Sequence, residues 1–345
     1  MADDGWTPSE EHPGEDAGRQ RVHTWLTEQF DLQVPVISAP MSGLSGSRLA
    51  GAVSLGGGLG MLGVSPSASQ EWLAGQLADL NATEKPYGVG FLGWALEADE
   101  APMQLTMKAR PDLVSVSYGD VERWVAPLHD SGIAIAAQAG TLTEAFDLED
   151  MGVDLIVARG GEGGGHGRND VATLPLLQAA LAEVETPLVA AGGIATGRGL
   201  AAVLAAGAVG AWVGTAFTCC PEADSRPAAT EAIMRAELDS TVYGRAFDIA
   251  QRLPWPPEYG GRALRNEFTA AWFGREKELL AGTPAAVAAS DQVEAARRAG
   301  DIRFAPVYVG QAAGLIHDER TVAEVLTEFA TAAGYLRQAG RLVGE

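Results

Sequence analysis

This chain is short of cysteine, of lysine and of positive charge in general. Its only cysteines are the neighbours Cys219 and Cys220, too few for a disulfide framework and without the spaced second pair of a zinc site. They read as small buried residues, and no metal site is expected. Lysine stands only at 85, 108 and 277, and 24 basic residues against 45 acidic ones leave a formal charge of -21 at pH 7. Such a charge repels phosphate backbones and anionic lipid, so nucleic acid and membrane surfaces are excluded as partners. Long apolar runs are missing too: none reaches the roughly 20 residues that span a bilayer. The opening "MADDGWTPSEEHPGEDAGRQ" is acidic and polar, unlike a signal or transit peptide, so a cytoplasmic location is the expectation.

The chain does carry a rhythm. Residues 1–20 have almost no apolar content and read as a disordered acidic tail. Over 21–222, short β-prone runs alternate with stretches of helical spacing. The runs are "VPVISAP" (34–40), "GMLGV" (60–64), "YGVGFLG" (87–93), "LVSVSYG" (113–119), "IAIAAQAG" (133–140), "DLIVARG" (154–160), "PLVAAGG" (187–193) and "GAWVGTA" (210–216). Helical segments such as "SRLAGAVSLGG" and "RGLAAVLAAG" lie between them, several closing on glycine. Continuous apolar runs joined by helices are what a parallel sheet requires. Eight such units predict an α/β fold, a (β/α)8 TIM barrel; a doubly wound open sheet is the alternative, with fewer strands. After the eighth strand the rhythm stops. Residues 223–305 are expected to form a mostly helical cap and substrate region. Residues 306–345, beginning "PVYVGQAAGLI", return to the barrel, close its wall and end in a helix packed upon it.

Glycine is plentiful, 43 residues, and its clusters point to the site. Residues 58–63, "GLGMLG", match a dinucleotide fingerprint, but a helix precedes them and a strand follows, the reverse of what that motif needs. They read as a helix stop and a tight turn. "AAGGIATGRG" (190–199) and "WVGTAF" (212–217) instead follow strands seven and eight, where bare main chain can approach a phosphate. "GGEGGGHGRND" (160–170) follows strand six: glycines against which a flat ligand can lie, then His166 facing the catalytic mouth. A lone histidine is about as often a structural group as a catalyst. His12, His23, His129 and His317 fall in the tail, on helices or beside a turn, and get no functional role.

Taken together, "PVISAPMSGLSGSRLAGAVSLGGGLGMLG", "KPYGVGFLG", "ARGGEGGGHG", "PLVAAGGIATGRGLAAVLAAGAVGAWVGTAF" and "PVYVGQAAGLI" resemble the nitronate monooxygenase (2-nitropropane dioxygenase) family of FMN-dependent barrels. The resemblance implies FMN as cofactor, a small-molecule substrate and dioxygen as partners, and leaves a homodimer open. It places Ala39, Pro40 and Met41 beside the isoalloxazine and Gly164 along the flavin. Gly193 with Trp212, Val213, Gly214 and Thr215 would hold the ribityl phosphate, and His166 is the catalytic histidine. Two cofactor positions depart from the family pattern: its strand-three asparagine is Gly90, which leaves a hole, and its strand-six glutamine is Arg159. A guanidinium there is expected at the pyrimidine edge, favouring reduced anionic flavin and holding an acidic substrate, with a surface salt bridge as the alternative. The implied activity is oxidation of alkyl nitronates by dioxygen to carbonyl compounds and nitrite. An NAD(P)H-dependent FMN reductase of enoyl thioesters or quinones is the rival, and a flavin-binding protein that has lost catalysis is the third reading.

Overall fold

The structure is a computed structural model describing residues 21–342, so the acidic tail expected at 1–20 lies outside the described residues. In chain order the strands are β1 (Val36–Ser38), β2 (Gly60–Gly63), β3 (Tyr87–Leu92), β4 (Leu113–Ser117), β5 (Ala134–Ala139), β6 (Leu155–Arg159), β7 (Gly165–Gly167), β8 (Leu188–Ala191), β9 (Gly210–Val213), β10 (Thr241–Gly244) and β11 (Gly260–Leu264). All but β7, β10 and β11 are the eight apolar runs. They pair in parallel in the order β1-β9-β8-β6-β5-β4-β3-β2, and a parallel bridge from Ile37 to Leu59 closes the ring. The fold is a (β/α)8 barrel. "GLGMLG" is the expected turn, following the helix Ser47–Leu55 and leading into β2.

Side chains alternate along each strand between two buried layers, as the two-residue period of a strand dictates. Leu155, Val157, Val189, Ala191 and Trp212 belong to the inner layer; Ile156, Ala158, Ala190, Ala211 and Val213 face the surrounding helices. Leu26, Phe30 and Leu32 join the inner cluster from the segment before β1. Along β4, β5 and β6 the inner positions change from apolar Leu113, Ala136 and Leu155 to Ser117, Gln138 and Arg159 at the C-terminal ends. The barrel is thus filled with hydrocarbon below and lined with polar groups at its mouth.

The segment after β9 carries a core of its own, in which Phe247 stacks on Phe268 at 4.8 Å and Leu279 and Val293 pack nearby. Its helices, Ala246–Ala250, Glu267–Trp272, Glu276–Leu280 and Pro284–Ala299, surround a pair of strands not expected from sequence. β10 pairs antiparallel with β11, and β11 pairs antiparallel with β7, setting Gly261 opposite His166. The expected closure of the barrel wall by the return segment needs correction. β1 closes the wall between β9 and β2, while residues 306–316 form no strand and run across the mouth. The helices Val322–Ala330 and Ala332–Gly340 pack outside the barrel, where Phe329 is fully buried and lies 6.4 Å from Phe217. Replacing Phe329 by Ala is expected to cost about 3–5 kcal/mol of unfolding free energy, from lost burial and an unfilled cavity. Urea denaturation measures it, and a change below about 1 kcal/mol would show that this helix is not integral to the barrel core.

Candidate active site

The polar end of the barrel opens into a cavity of about 820 Å³, within the usual range for a small-molecule or cofactor site. Ala39, Pro40, Met41, Gly90, Arg159, Gly164, His166, Gly193, Trp212, Gly214 and Thr215 all line it. Val213 does not. It sits one residue out of phase with Trp212, so its side chain joins the outer core while its carbonyl accepts the Ala39 N–H at 2.8 Å. Gly90 also needs correction. A Cβ there would lie 2.2 Å from Cγ of Pro40, so the proline ring fills the expected hole.

The glycine-rich loop is not slack. Every carbonyl from Gly161 to Arg168 accepts a bond from a group outside the run. Arg262 Nε donates to Gly161 O at 2.8 Å, and the Gln311 N–H donates to Glu162 O at 3.0 Å. The Arg159 guanidinium reaches Gly163 O (2.8 Å), Gly164 O (3.3 Å), Gly165 O (3.2 Å) and Arg168 O (2.8 Å). Tyr118 Oη donates to His166 O at 2.8 Å, and Tyr243 Oη donates to Gly167 O at 2.9 Å. Tyr118 Oη also lies 2.8 Å from the Gln138 amide. A phenol has one proton, so with that proton on the carbonyl the amide must present its NH2. Burial pushes the Tyr118 hydroxyl up to about 12, with Arg159 opposing, so it stays a donor at neutral pH. Tyr118 holds a left-handed backbone, φ 67°, a strained state for a non-glycine residue that recurs at functional sites.

Arg159 is therefore neither a surface ion pair nor a free cation for an acidic substrate. It is 4 % exposed, and its hydrogen bonds go to peptide oxygens. Burial lowers its proton affinity from the usual arginine value, yet a guanidinium remains charged in proteins.

His166 stands on β7, at the centre of this braced platform. Its side chain is 11 % exposed, and Nε2 lies 2.7 Å from Oδ1 of Asp248, whose side chain is 1 % exposed. The indole of Trp255 stacks on the imidazole, ring centres 3.7 Å apart and planes 3° from parallel. Tyr308 closes another side at 5.2 Å, its hydroxyl held well above the ordinary phenol range, first by burial and then by Asp248. Asp248, Trp255, Tyr118 and Tyr308 were not singled out from sequence. The "GG" of 260–261 is the signal that could have found this neighbourhood: a Cβ on Gly261 would lie 2.8 Å from Tyr308 and 3.3 Å from His166 Nε2.

On the opposite side, β8 and β9 end in turns whose glycine N–H groups, at Gly193 and Gly214, meet no acceptor among the described residues. Two N–H groups at the helix start beyond β8 are already satisfied, Gly199 N–H by Thr196 Oγ1 at 3.1 Å and Gly197 N–H by Glu328 Oε1 at 3.2 Å. An anion here would therefore meet the strand-end turns rather than the helix terminus. Cys219 and Cys220 are buried away from the cavity, and burial pushes the Cys220 thiol up to about 12, leaving it inert. Among the described residues no acidic, histidine or cysteine group is arranged to hold a metal, and no helix is long and apolar enough to cross a membrane.

A parallel barrel whose mouth carries a braced histidine and open glycine turns has its functional groups where (β/α)8 enzymes carry theirs. The nitronate monooxygenase family model matches residues 23–103 and 95–331, and the chain belongs to that flavin-dependent family. It is 31% identical over 367 aligned residues to the nitronate monooxygenase of Paraburkholderia phytofirmans, covering 91% of this chain and 97% of the relative. Among solved structures, FabK from Thermotoga maritima superposes with a TM-score of 0.79 at 27% identity, over 93% of this chain and all of that one. A nitroalkane oxidase from Streptomyces ansochromogenes gives 0.76 at 27% identity, over 91% of this chain and 99% of the other. The chain also matches a carboxyl-CoA dehydrogenase of Rhodococcus jostii at 32% identity over 229 residues, spanning 64% of that relative's length.

Removing the Arg159 clamp leaves four carbonyls without their donor. Arg159→Gln is expected to lower the unfolding free energy by about 3 kcal/mol and to speed amide hydrogen exchange across residues 160–168. Unchanged stability together with unchanged exchange would refute the bracing role.

Proposed function

We propose that the protein is an FMN-dependent nitronate monooxygenase, oxidising alkyl nitronates, and nitroalkanes through their nitronates, with dioxygen to carbonyl compounds and nitrite. The observation that carries this reading is the state of His166: Nε2 is committed to Asp248, while Nδ1 has no partner among the described residues and the side chain lines the cavity. The residues present fit FMN. The unpartnered N–H groups of Gly193 and Gly214, beside Thr215, suit a phosphate. Ala39, Pro40 and Met41 offer an apolar edge to a ring. Gly164 presents bare main chain because Val309 and Gly310 occupy the position its Cβ would take, 2.5 Å from Gly310 N. When bound, FMN supplies the electron acceptor and the route to dioxygen that the side chains lack.

The rest falls to the chain's own groups. His166 Nδ1 is placed to take the α-proton of a neutral nitroalkane; once protonated, the imidazolium can hold the nitronate oxygens. An imidazole suits both tasks because its ordinary pKa is near neutrality. Trp255, Tyr308 and the return segment crowd the histidine and limit water around it. The likeness to a carboxyl-CoA dehydrogenase supports one rival, an NAD(P)H-dependent reductase of thioesters or quinones in the same cavity. The braced histidine weighs against a barrel that has lost catalysis.

Purified protein is expected to be yellow and to release FMN on denaturation. Under anaerobic mixing a nitronate should bleach the flavin absorbance; bleaching by NADH and not by nitronate selects the rival. His166→Ala should retain FMN and lose roughly 100-fold or more in turnover of a neutral nitroalkane, the usual scale for removing a general base. A colourless protein that refuses FMN, or full activity in the alanine variant, would overturn the reading.

A further inference from the structure

Asp248 has no place in the mechanism so far, yet it is the most deeply buried acidic side chain around the cavity. Its Oδ1 lies 2.7 Å from His166 Nε2 and 3.5 Å from the Tyr308 hydroxyl, while its Oδ2 is buried without a hydrogen-bond partner. A buried carboxylate oxygen left orphaned is costly, so the carboxylate is held for something other than stability. The arrangement spans two bodies. His166 is carried by a loop of the barrel, and Asp248 by the short helix Ala246–Ala250 after the eighth barrel strand. Trp255, stacked flat on the imidazole, comes from the turn that follows.

We propose that Asp248 is a positioning residue that fixes the His166 proton on Nε2, leaving Nδ1 as the basic nitrogen toward the substrate, with Trp255 holding the ring in that plane. A carboxylate only accepts, so Nε2 must donate to it, and a neutral imidazole then has its lone pair on Nδ1. When the substrate C–H bond breaks, its electron pair stays with the nitro compound as nitronate and the proton forms an N–H bond at Nδ1. The imidazolium so formed lies between the negative carboxylate at its edge and the indole face, both of which stabilise a cation. No oxidant enters this step. The proposal rests on His166 serving as the base, and its test separates the two.

The test variant is Asp248→Leu, close to aspartate in size, which removes the acceptor that faces Nε2. An asparagine would not serve, because the Tyr308 hydroxyl also donates toward Oδ1 and would keep an amide oxygen there. Histidine-selective 15N NMR of the FMN-loaded protein, assigned against His166→Ala, reads the tautomer directly. In the wild type the pyridine-like nitrogen of His166 should be Nδ1, and in Asp248→Leu that single-tautomer signature should be lost. Turnover of a neutral nitroalkane should fall about 100-fold in the variant, with preformed nitronate affected less than 10-fold. A wild-type proton on Nδ1 overturns the proposal whether or not the variant folds. So does a leucine variant that keeps the wild-type tautomer in full, or one with equal losses on both substrates. If neither substrate is turned over by the wild type, the proposed activity fails while the tautomer measurement still decides the role of Asp248.

Discussion

The mouth of the barrel depends on how the eight carbonyls from Gly161 to Arg168 are satisfied. A run of glycines gives a ligand close access to main chain, but it loses more conformational freedom on folding than any other sequence and has no side chains to hold it. The loop is ordered from outside. Arg159, at the last inward position of β6, folds back over the loop that follows it and serves four of these carbonyls. Tyr118, Tyr243, Arg262 and the Gln311 N–H serve the others. These donors come from the bend after β4, from β6, β10 and β11 and from the return segment, so the histidine platform is a product of the whole chain.

The interdependence extends to the segment after β9. Its strand β11 extends the loop strand β7 into a three-stranded sheet, which converts His166 from a loop residue into a strand residue with a defined neighbour, Gly261. The return segment then presses Val309 and Gly310 against Gly164, and Thr215 Oγ1 accepts the Gly310 N–H at 2.9 Å. The two sides of the cavity, histidine loop and glycine turns, are thereby tied together across its rim. A barrel without these additions would keep its strands and lose the geometry of its mouth.

How much of this was legible in the sequence follows from which interactions are local. The eight barrel strands could be read because each is buried on both faces and must be apolar throughout, whatever its partners. The glycine turns after β8 and β9 and the His166 loop could be read because backbone approach needs residues of one kind. The hairpin of β10 and β11 could not: "TVYG" and "GGRAL" are too short and too glycine-rich to show a period, and they are strands because β7 offers them an edge. Asp248 lies in "AFDIA", where nothing local distinguishes it from a solvent-facing acid; only the fold brings it 82 residues back to His166. Arg159 and Gly90 were visible as unusual residues but not interpretable. Sequence shows a charge and a missing side chain, whereas what the charge bonds to and what fills the space are set by Gly163–Arg168 and by Pro40.

A chain of -21 with its three lysines elsewhere is a poor host for an anion if net charge is what matters. Long-range fields from exposed acids are screened within about 10 Å at ordinary ionic strength, whereas buried charges are not. Arg159 and Arg262 are both buried; burial lowers the hold of each on its proton, and Arg159 lowers that of Arg262 further. Their hydrogen bonds run to carbonyls, to the Thr241 hydroxyl and to the Asn169 amide oxygen, none of which cancels a full charge. Glu162 is the carboxylate felt by both, and its own bonds go to Thr173. Two guanidinium groups against that one carboxylate leave the bracing behind the glycine loop positive, in a low-dielectric setting where a charge acts at greater strength than in water, while the buried Asp248 carboxylate is paired with His166. The charge behind the glycine loop is therefore opposite in sign to that of the whole molecule, and net charge alone does not decide what the cavity can hold.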